Sequence, residues 1–290
     1  MPPRDLLLGT IVMAVWGSQV VPVRLSLAEL PPFLMLAIRW VIVGAVLLPF
    51  VPVPRGGQWK TVAAVGVLSG AVHSSLLYLG LLLVPAAVAG VVYQLNVPFA
   101  LLLGWATLGE APSRRALAGT ALAFAGVVLL SAAGAALPAG GSGPFLLGAG
   151  LIAASALCLA AGNVSVRRLP AVPSATLNGW QAPIALVPAV LLSLVAERDQ
   201  AQAVAQASLT AWIAVFWVAL VGGVITWQIW LRLVRRHPVP RVTPLLLLIP
   251  PFAIAGGVLG LGERLTALQV VGATLACGGV GLALLPRWRR

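Results

Sequence analysis

One pattern occurs twice in this chain. Pro98-Phe99-Ala100 leads, twelve residues after its proline, to Glu110 of Leu108-Gly109-Glu110. Pro251-Phe252-Ala253 leads over the same distance to Glu263 of Leu261-Gly262-Glu263. The offset of 153 residues holds outside the pattern: Trp59 matches Trp212, Pro85 matches Pro238, Gly104 matches Gly257, Ser113 matches Thr266, Gly119 matches Gly272 and Gly126 matches Gly279. In 290 residues such a repeat makes the fold two copies of one unit. The first copy is expected over 1–133 and the second over 145–290. An uncharged linker rich in Gly, Ala and Pro joins them at 134–144.

The medium follows from composition. Only 8% of the residues are charged, against roughly 25% in a soluble domain, and mean hydropathy is +1.04. Apolar runs of about 20 residues, the length that crosses a bilayer core, fall near 5–23, 32–52, 60–83, 87–107, 114–133, 145–166, 174–195, 209–231, 239–260 and 266–285. The expected fold is an all-α integral membrane protein of ten transmembrane helices. The first run is long enough to span and lacks a small-residue cleavage site, so no cleavable signal peptide is expected.

A net charge of +12 could suggest nucleic acid, but its distribution argues otherwise. With the N-terminus inside, fourteen Lys and Arg residues fall in inner segments and three, Arg24, Arg198 and Arg264, in outer ones. That asymmetry is a topology signal. It places both termini in the cytoplasm and makes the bilayer, rather than nucleic acid, the partner. Five spans per copy is an odd number, so the second copy is inverted relative to the first. Inverted repeats are the architecture of transporters, with a midplane site between halves that rock in alternating access.

The acidic residues limit the chemistry. Asp5, Glu29, Glu110, Glu197, Asp199 and Glu263 are the complete set, and all fall at span ends or in loops. No carboxylate stands mid-membrane to relay protons. Glu110 and Glu263 precede Ser113 and Thr266 by three residues, and those two could N-cap spans five and ten; the glutamates are read as structural. Cys158 and Cys277 lie inside spans, no Cys/His cluster has metal spacing, and no catalytic set is visible. No enzyme activity, cofactor or metal is expected.

Polar side chains inside spans are expensive and point to function. Trp16 and Gln19 lie in span one, His73 and Tyr78 in span three, and Tyr93 and Asn96 on one face of span four. Asn163 lies in span six, Trp180 and Gln181 in span seven, and Trp227 in span eight. Together they form a neutral, aromatic, hydrogen-bonding lining suited to small zwitterionic or aromatic solutes. Arg39, about one and a half turns into span two, could attract a carboxylate or snorkel to the outer headgroups; snorkelling is the expectation. Pro98 and Pro251 interrupt spans four and nine at matched positions and are read as hinges. Gly66-x-x-x-Gly70 and Gly256-x-x-x-Gly260 have the spacing for close helix contact, within the bundle or in a dimer.

The doubled Pro-Phe-Ala, Leu-Gly-Glu, Ser/Thr, Gly and Gly pattern, with Trp16-Gly17-Ser18 and Arg39, resembles the EamA repeat of the drug/metabolite transporter superfamily. Within it, the text as a whole is most similar to the YddG-type aromatic amino acid exporters. The resemblance implies ten helices in an inverted five-plus-five arrangement in the bacterial inner membrane. Spans one to four and six to nine would surround a central cavity, with five and ten outside it. It also implies efflux of amino acids, aromatic ones included, and related metabolites. With no mid-span carboxylate, facilitated diffusion by a monomer or weak homodimer is expected; the alternative is proton-coupled efflux of drugs, nucleobases or other metabolites. The second copy carries Ala161-Gly162-Asn163 where the first has Trp16-Gly17-Ser18, so Trp16 has no symmetric partner.

Overall fold

The computed structural model describes residues 1–84, 86–132, 142–261 and 266–285. Glu263 and most of the expected linker lie outside them; the last linker residues, from Ser142, already belong to a helix. Among the described residues there is no strand. Ten long helical segments follow one another: α1 Pro3–Leu27, α2 Pro32–Phe50, α3 Gln58–Leu81, α4 Ala89–Leu108, α5 Arg114–Ala132, α6 Ser142–Arg168, α7 Ser174–Ala196, α8 Leu209–Arg236, α9 Val239–Gly256 and α10 Ala267–Leu284. All but α5 meet the length and apolarity needed to cross a membrane. Large apolar side chains such as Leu102, Leu146 and Leu259 stand exposed on the outside of the bundle, where only lipid tails could cover them without cost.

The 153-residue repeat reappears as geometry. Helix Asn96–Leu108 corresponds to Ile249–Leu261, and α5 to α10, in register. A π-helical stretch interrupts α3 at Gly66–Val72 and α8 at Val218–Ile225, the same place in each copy. At the start of each copy the offset is shorter, 145 residues between Ser18 and Asn163. The change falls where a short helix, Gln200–Gln206, is inserted between α7 and α8.

The packing respects the same symmetry. α5 lies on α10 and α2 on α7. α3 meets α7 and α6, as α8 meets α2 and α1; α1 meets α9, as α6 meets α4. Each of these contacts joins one half to the other, and exchanging the halves returns the same set, as a two-fold relation requires. Glycine makes the α5–α10 crossing possible. A Cβ on Gly126 would stand 2.5 Å from Ala276 N and 2.6 Å from Gly272 O, and Gly119 meets Gly279 and Ala283 in the same way. Gly66 and Gly70 serve contact within the bundle, against Ile184 and Ala185 of α7, and Gly256 lies against Ser18 of α1.

The doubled motif now has a physical reading. Pro98 sits in the first turn of the helix that restarts at Asn96, where a missing N–H costs little. The Gln94 carbonyl, which Pro98 cannot serve, accepts from Val97 N–H at 3.1 Å. Asn96 Nδ2 covers the Tyr93 carbonyl at 2.7 Å. Gly109 ends the helix at φ 67°, a conformation glycine adopts without strain, and Glu110 N–H closes back to Gly104 O at 3.2 Å. Proline restarts the helix, glycine stops it, and the glutamate is aimed by the stop. Pro250 and Pro251 likewise fall in the first turn of Ile249–Leu261, after a tighter 3-10 stretch over Thr243–Leu248.

Candidate functional site

Glu110 reaches the other half of the molecule. It accepts from Val239 N–H, at the start of α9, at 2.6 Å and pairs with Arg167 at the end of α6. Arg167 Nη1 donates to the carbonyls of Val234, Arg235 and His237. Three more carboxylates cross the same seam. Asp5 pairs with His237 Nε2 at 2.7 Å, beside Arg236. Glu29 accepts from Ser208 N–H and Oγ. Glu197 accepts from Phe33 and Leu34 N–H at 2.6 and 2.9 Å, charging the N-terminus of α2. Asp5 and Glu110 lie at one end of the bundle, Glu29 and Glu197 at the other. Ser113 Oγ caps α5 by accepting from Ala116 N–H at 3.1 Å, and Thr266 forms a capping box with Gln269.

Between these ends the polar side chains form two groups. In the first, the His73 ring lies 5.8 Å from the Tyr93 ring, and Nδ1 is held by Ser155 of α6, whose Oγ lies 2.8 Å away and donates to the His73 carbonyl. Tyr78 packs on Phe33, its hydroxyl toward Met35 Sδ. Arg39 does not snorkel. Its Nε is buried beside Gly223 of α8, and its guanidinium lies 5.2 Å from the Trp40 ring. The physical reason is local. Glycine at 223 leaves room for the side chain, and an aromatic face receives the guanidinium.

The second group surrounds the π-helical stretch of α8, whose widened turn leaves carbonyls for side chains to serve. Trp16 Nε1 donates to Gly222 O at 3.2 Å, Thr226 Oγ1 to the same oxygen at 2.8 Å, and Asn178 Nδ2 to Gly223 O at 2.8 Å. Trp16 stacks obliquely on Trp227 and edge-on to Trp230, each at 5.7 Å. Gln19 breaks α1 and rests its amide on Gly222. Asn163 Oδ1 accepts from Trp230 Nε1 at 3.1 Å.

The structure therefore brings together His73, Tyr93 and Asn96, with Tyr78 on Phe33 and Met35 of α2, and separately Trp16, Gln19, Asn163 and Trp227. Trp180 lies apart, its Nε1 donating to Pro52 O and its ring against Trp59. Gln181 packs on Gly70. Pro98 faces away, into an apolar crevice of about 650 Å³ between α4 and α5 shared with Leu95, Leu102, Trp105 and Phe124. Ser155, Trp230 and Asn178 complete the two groups. Helical spacing puts Asn178 on one face with Gln181 and Trp230 on one face with Trp227, whereas the only signal for Ser155 is its polarity within an apolar run. Among the described residues no set of three His, Cys, Asp or Glu could hold a metal. The arrangement supplies rings, hydrogen-bond donors and acceptors and one cation, which suits reversible binding of a small solute.

Two curated bacterial proteins, each described as a probable amino-acid metabolite efflux pump, are similar along their length. The one from Escherichia coli K12 is 29% identical over 300 residues, covering 100% of this chain and 98% of its own. The one from Salmonella typhimurium LT2 is 29% identical over 289 residues, covering 97% and 94%. A probable terminal-alkyne amino-acid exporter of Streptantibioticus cattleyicolor is 26% identical over 233 residues, covering 79% and 74%. A solved crystal structure superposes with a TM-score of 0.81 at 22% identity, covering 98% of this chain and 99% of its own, and so shares the fold. The sequence profile of the EamA-like transporter family matches residues 4–132 and again 146–285. Matched over nearly all of its length and once in each half, this multi-pass membrane protein belongs to the EamA-like transporter family.

Proposed function

We propose that the protein exports amino acids, aromatic ones included, and related small metabolites across the bacterial inner membrane by alternating access, as facilitated diffusion. Its family supports a transporter rather than an enzyme, and the descriptions of its relatives support efflux of small metabolites. In this reading α5 is a tenth span, the two five-helix halves are inverted relative to each other, and both termini are cytoplasmic. His73, Tyr78, Tyr93 and Asn96 contact the solute, with Gln19, Gln181 and Trp227 bordering them. Trp16 and Trp180 hold backbone carbonyls, and Asn163 holds the Trp230 ring. Breaks before Pro98 and Pro251 let α4 and α9 bend, and Glu110, with Glu263 in the second copy, ties helix ends. The protein works as a monomer or weak homodimer.

One observation carries this reading: the contacts between the halves survive exchange of the halves, as a carrier whose halves rock against each other requires. The test is amino acid flux in proteoliposomes with and without an imposed proton gradient. Downhill flux indifferent to that gradient is expected. Uphill accumulation driven by protons would instead support coupled efflux. Normal flux in His73→Ala, Tyr78→Ala and Tyr93→Ala alike would remove the proposed contact residues.

A further inference from the structure

We propose that Arg39 binds the free carboxylate of the transported solute, so that the carrier takes solutes bearing one carboxylate and discriminates against their amides and the corresponding amines. This rests on the transport role proposed above and names the chemistry of that site.

Arg39 is a charge with no counter-charge among the described residues. An arginine at the centre of a membrane helix costs about 2.5–3.5 kcal/mol on insertion scales, and such residues are retained where they pair or act. Arg39 lies within α2, and its buried Nε has no hydrogen-bond partner. The acids are committed elsewhere: Asp5 to His237, Glu29 to Ser208, Glu110 to Arg167, and Glu197 to the start of α2. Asp199 stands at the head of the short helix Gln200–Gln206, beyond the spans. Among the described residues no carboxylate pairs with Arg39. Tyr78 packs on Phe33 of the same helix α2, and the His73 ring, whose Nδ1 is held by Ser155, lies against Tyr93.

A guanidinium fork matches a carboxylate with two parallel hydrogen bonds. One cation balances one anion, whereas a dianionic phosphate would leave net charge buried. Gly223 supplies a second feature. Arg39 Nε flanks it on one side, and Asn178, bound through Nδ2 to its carbonyl, keeps a buried Oδ1 without a partner. An orphan donor and an orphan acceptor beside one glycine complement the carboxylate and ammonium of an α-amino acid. The rings of Tyr78, Tyr93 and His73 remain for its side chain.

The test uses the full-length protein in proteoliposomes, with L-phenylalanine, L-leucine, their amides and phenethylamine as probes. Counterflow is read together with the shift of melting temperature on adding each probe. In the wild type the two acids exchange and stabilise, and the amides and phenethylamine do so at least about tenfold more weakly. Arg39→Gln loses acid binding by on the order of 10- to 100-fold, and Arg39→Lys recovers part of it. Amides handled like acids by the wild type, a comparison that needs no variant, would overturn the inference. So would Arg39→Gln that melts normally and still exchanges acids. If the wild type moves neither acids nor amides, the exporter reading itself falls, and this inference with it.

Discussion

His73, Tyr78, Tyr93, Gln94 and Asn96 in the first copy become Thr226, Leu231, Leu246, Leu247 and Ile249 in the second. Leu231, Leu246 and Leu247 are fully buried and serve the central apolar core. The backbone shares two landmarks, although the second copy is 3-10 over Thr243–Leu248 where the first is α-helical to Tyr93. Both copies carry a π-helical stretch just before position 73 or 226, and both restart a helix at 96 or 249. The repeat thus fixes the mechanical parts and leaves the side chains free. One half keeps the polar face, and the other carries leucine at three of the five places and isoleucine at a fourth. Under the proposed function, the shared main chain would serve motion and the differing side chains recognition.

The largest break in the shared skeleton is expected from Gly119→Val. The added atoms meet main chain of α10 rather than a side chain that can turn aside. We expect a loss of more than about 3 kcal/mol, seen as failure to purify as a monodisperse species or a collapse of Tm. Glu110→Ala should follow. It strips Arg167 of its partner and leaves Val239 N–H unserved, at about 2–4 kcal/mol, and a thermal melt in detergent reads it. Tyr93→Leu makes the first copy resemble the second. Amino acid exchange should fall about tenfold with Tm little changed; a large fall in Tm with normal exchange would mean that Tyr93 only packs.

The smallest effect is expected at the rim. Hydrogen bonds from the Ser208 N–H and hydroxyl hold the Glu29 carboxyl below its ordinary value of 4.5. The folded state therefore favours the ionised form. Its contribution is complete above pH 4.5 and is lost as pH falls through the lowered value. Because Glu29 is exposed, the effect is slight. The drop in Tm between pH 5 and pH 3 should be a little smaller in Glu29→Gln than in the wild type.

Spans and repeat could be read from the chain because both are written in spacing: about 20 apolar residues per crossing, and one motif at one offset. The π-helical stretches could not. Gly66–Val72 and Val218–Ile225 look like any glycine-bearing apolar run, and the partners that serve the second, Trp16 and Asn178, are remote in sequence. Arg39 shows the same limit. Its depth in α2 suggested snorkelling, yet the side chain turns toward Gly223, remote in sequence, and the face of Trp40. Trp16 and Asn163 were legible as polar or aromatic groups in lipid, but not as groups already spent on Gly222 and Trp230. Local spacing finds the Ser113 cap three residues from Glu110; it does not find Val239, 129 residues away.

The carboxylates that cross between the halves have one more consequence. Two close each end of the bundle, and every one of the four has one foot in either half. In a rocking cycle, parting the halves at one end pulls both clasps there while the other pair stays shut and serves as the pivot. The seam then works as an interlock, in which the end that stays fastened is what lets the opposite end open.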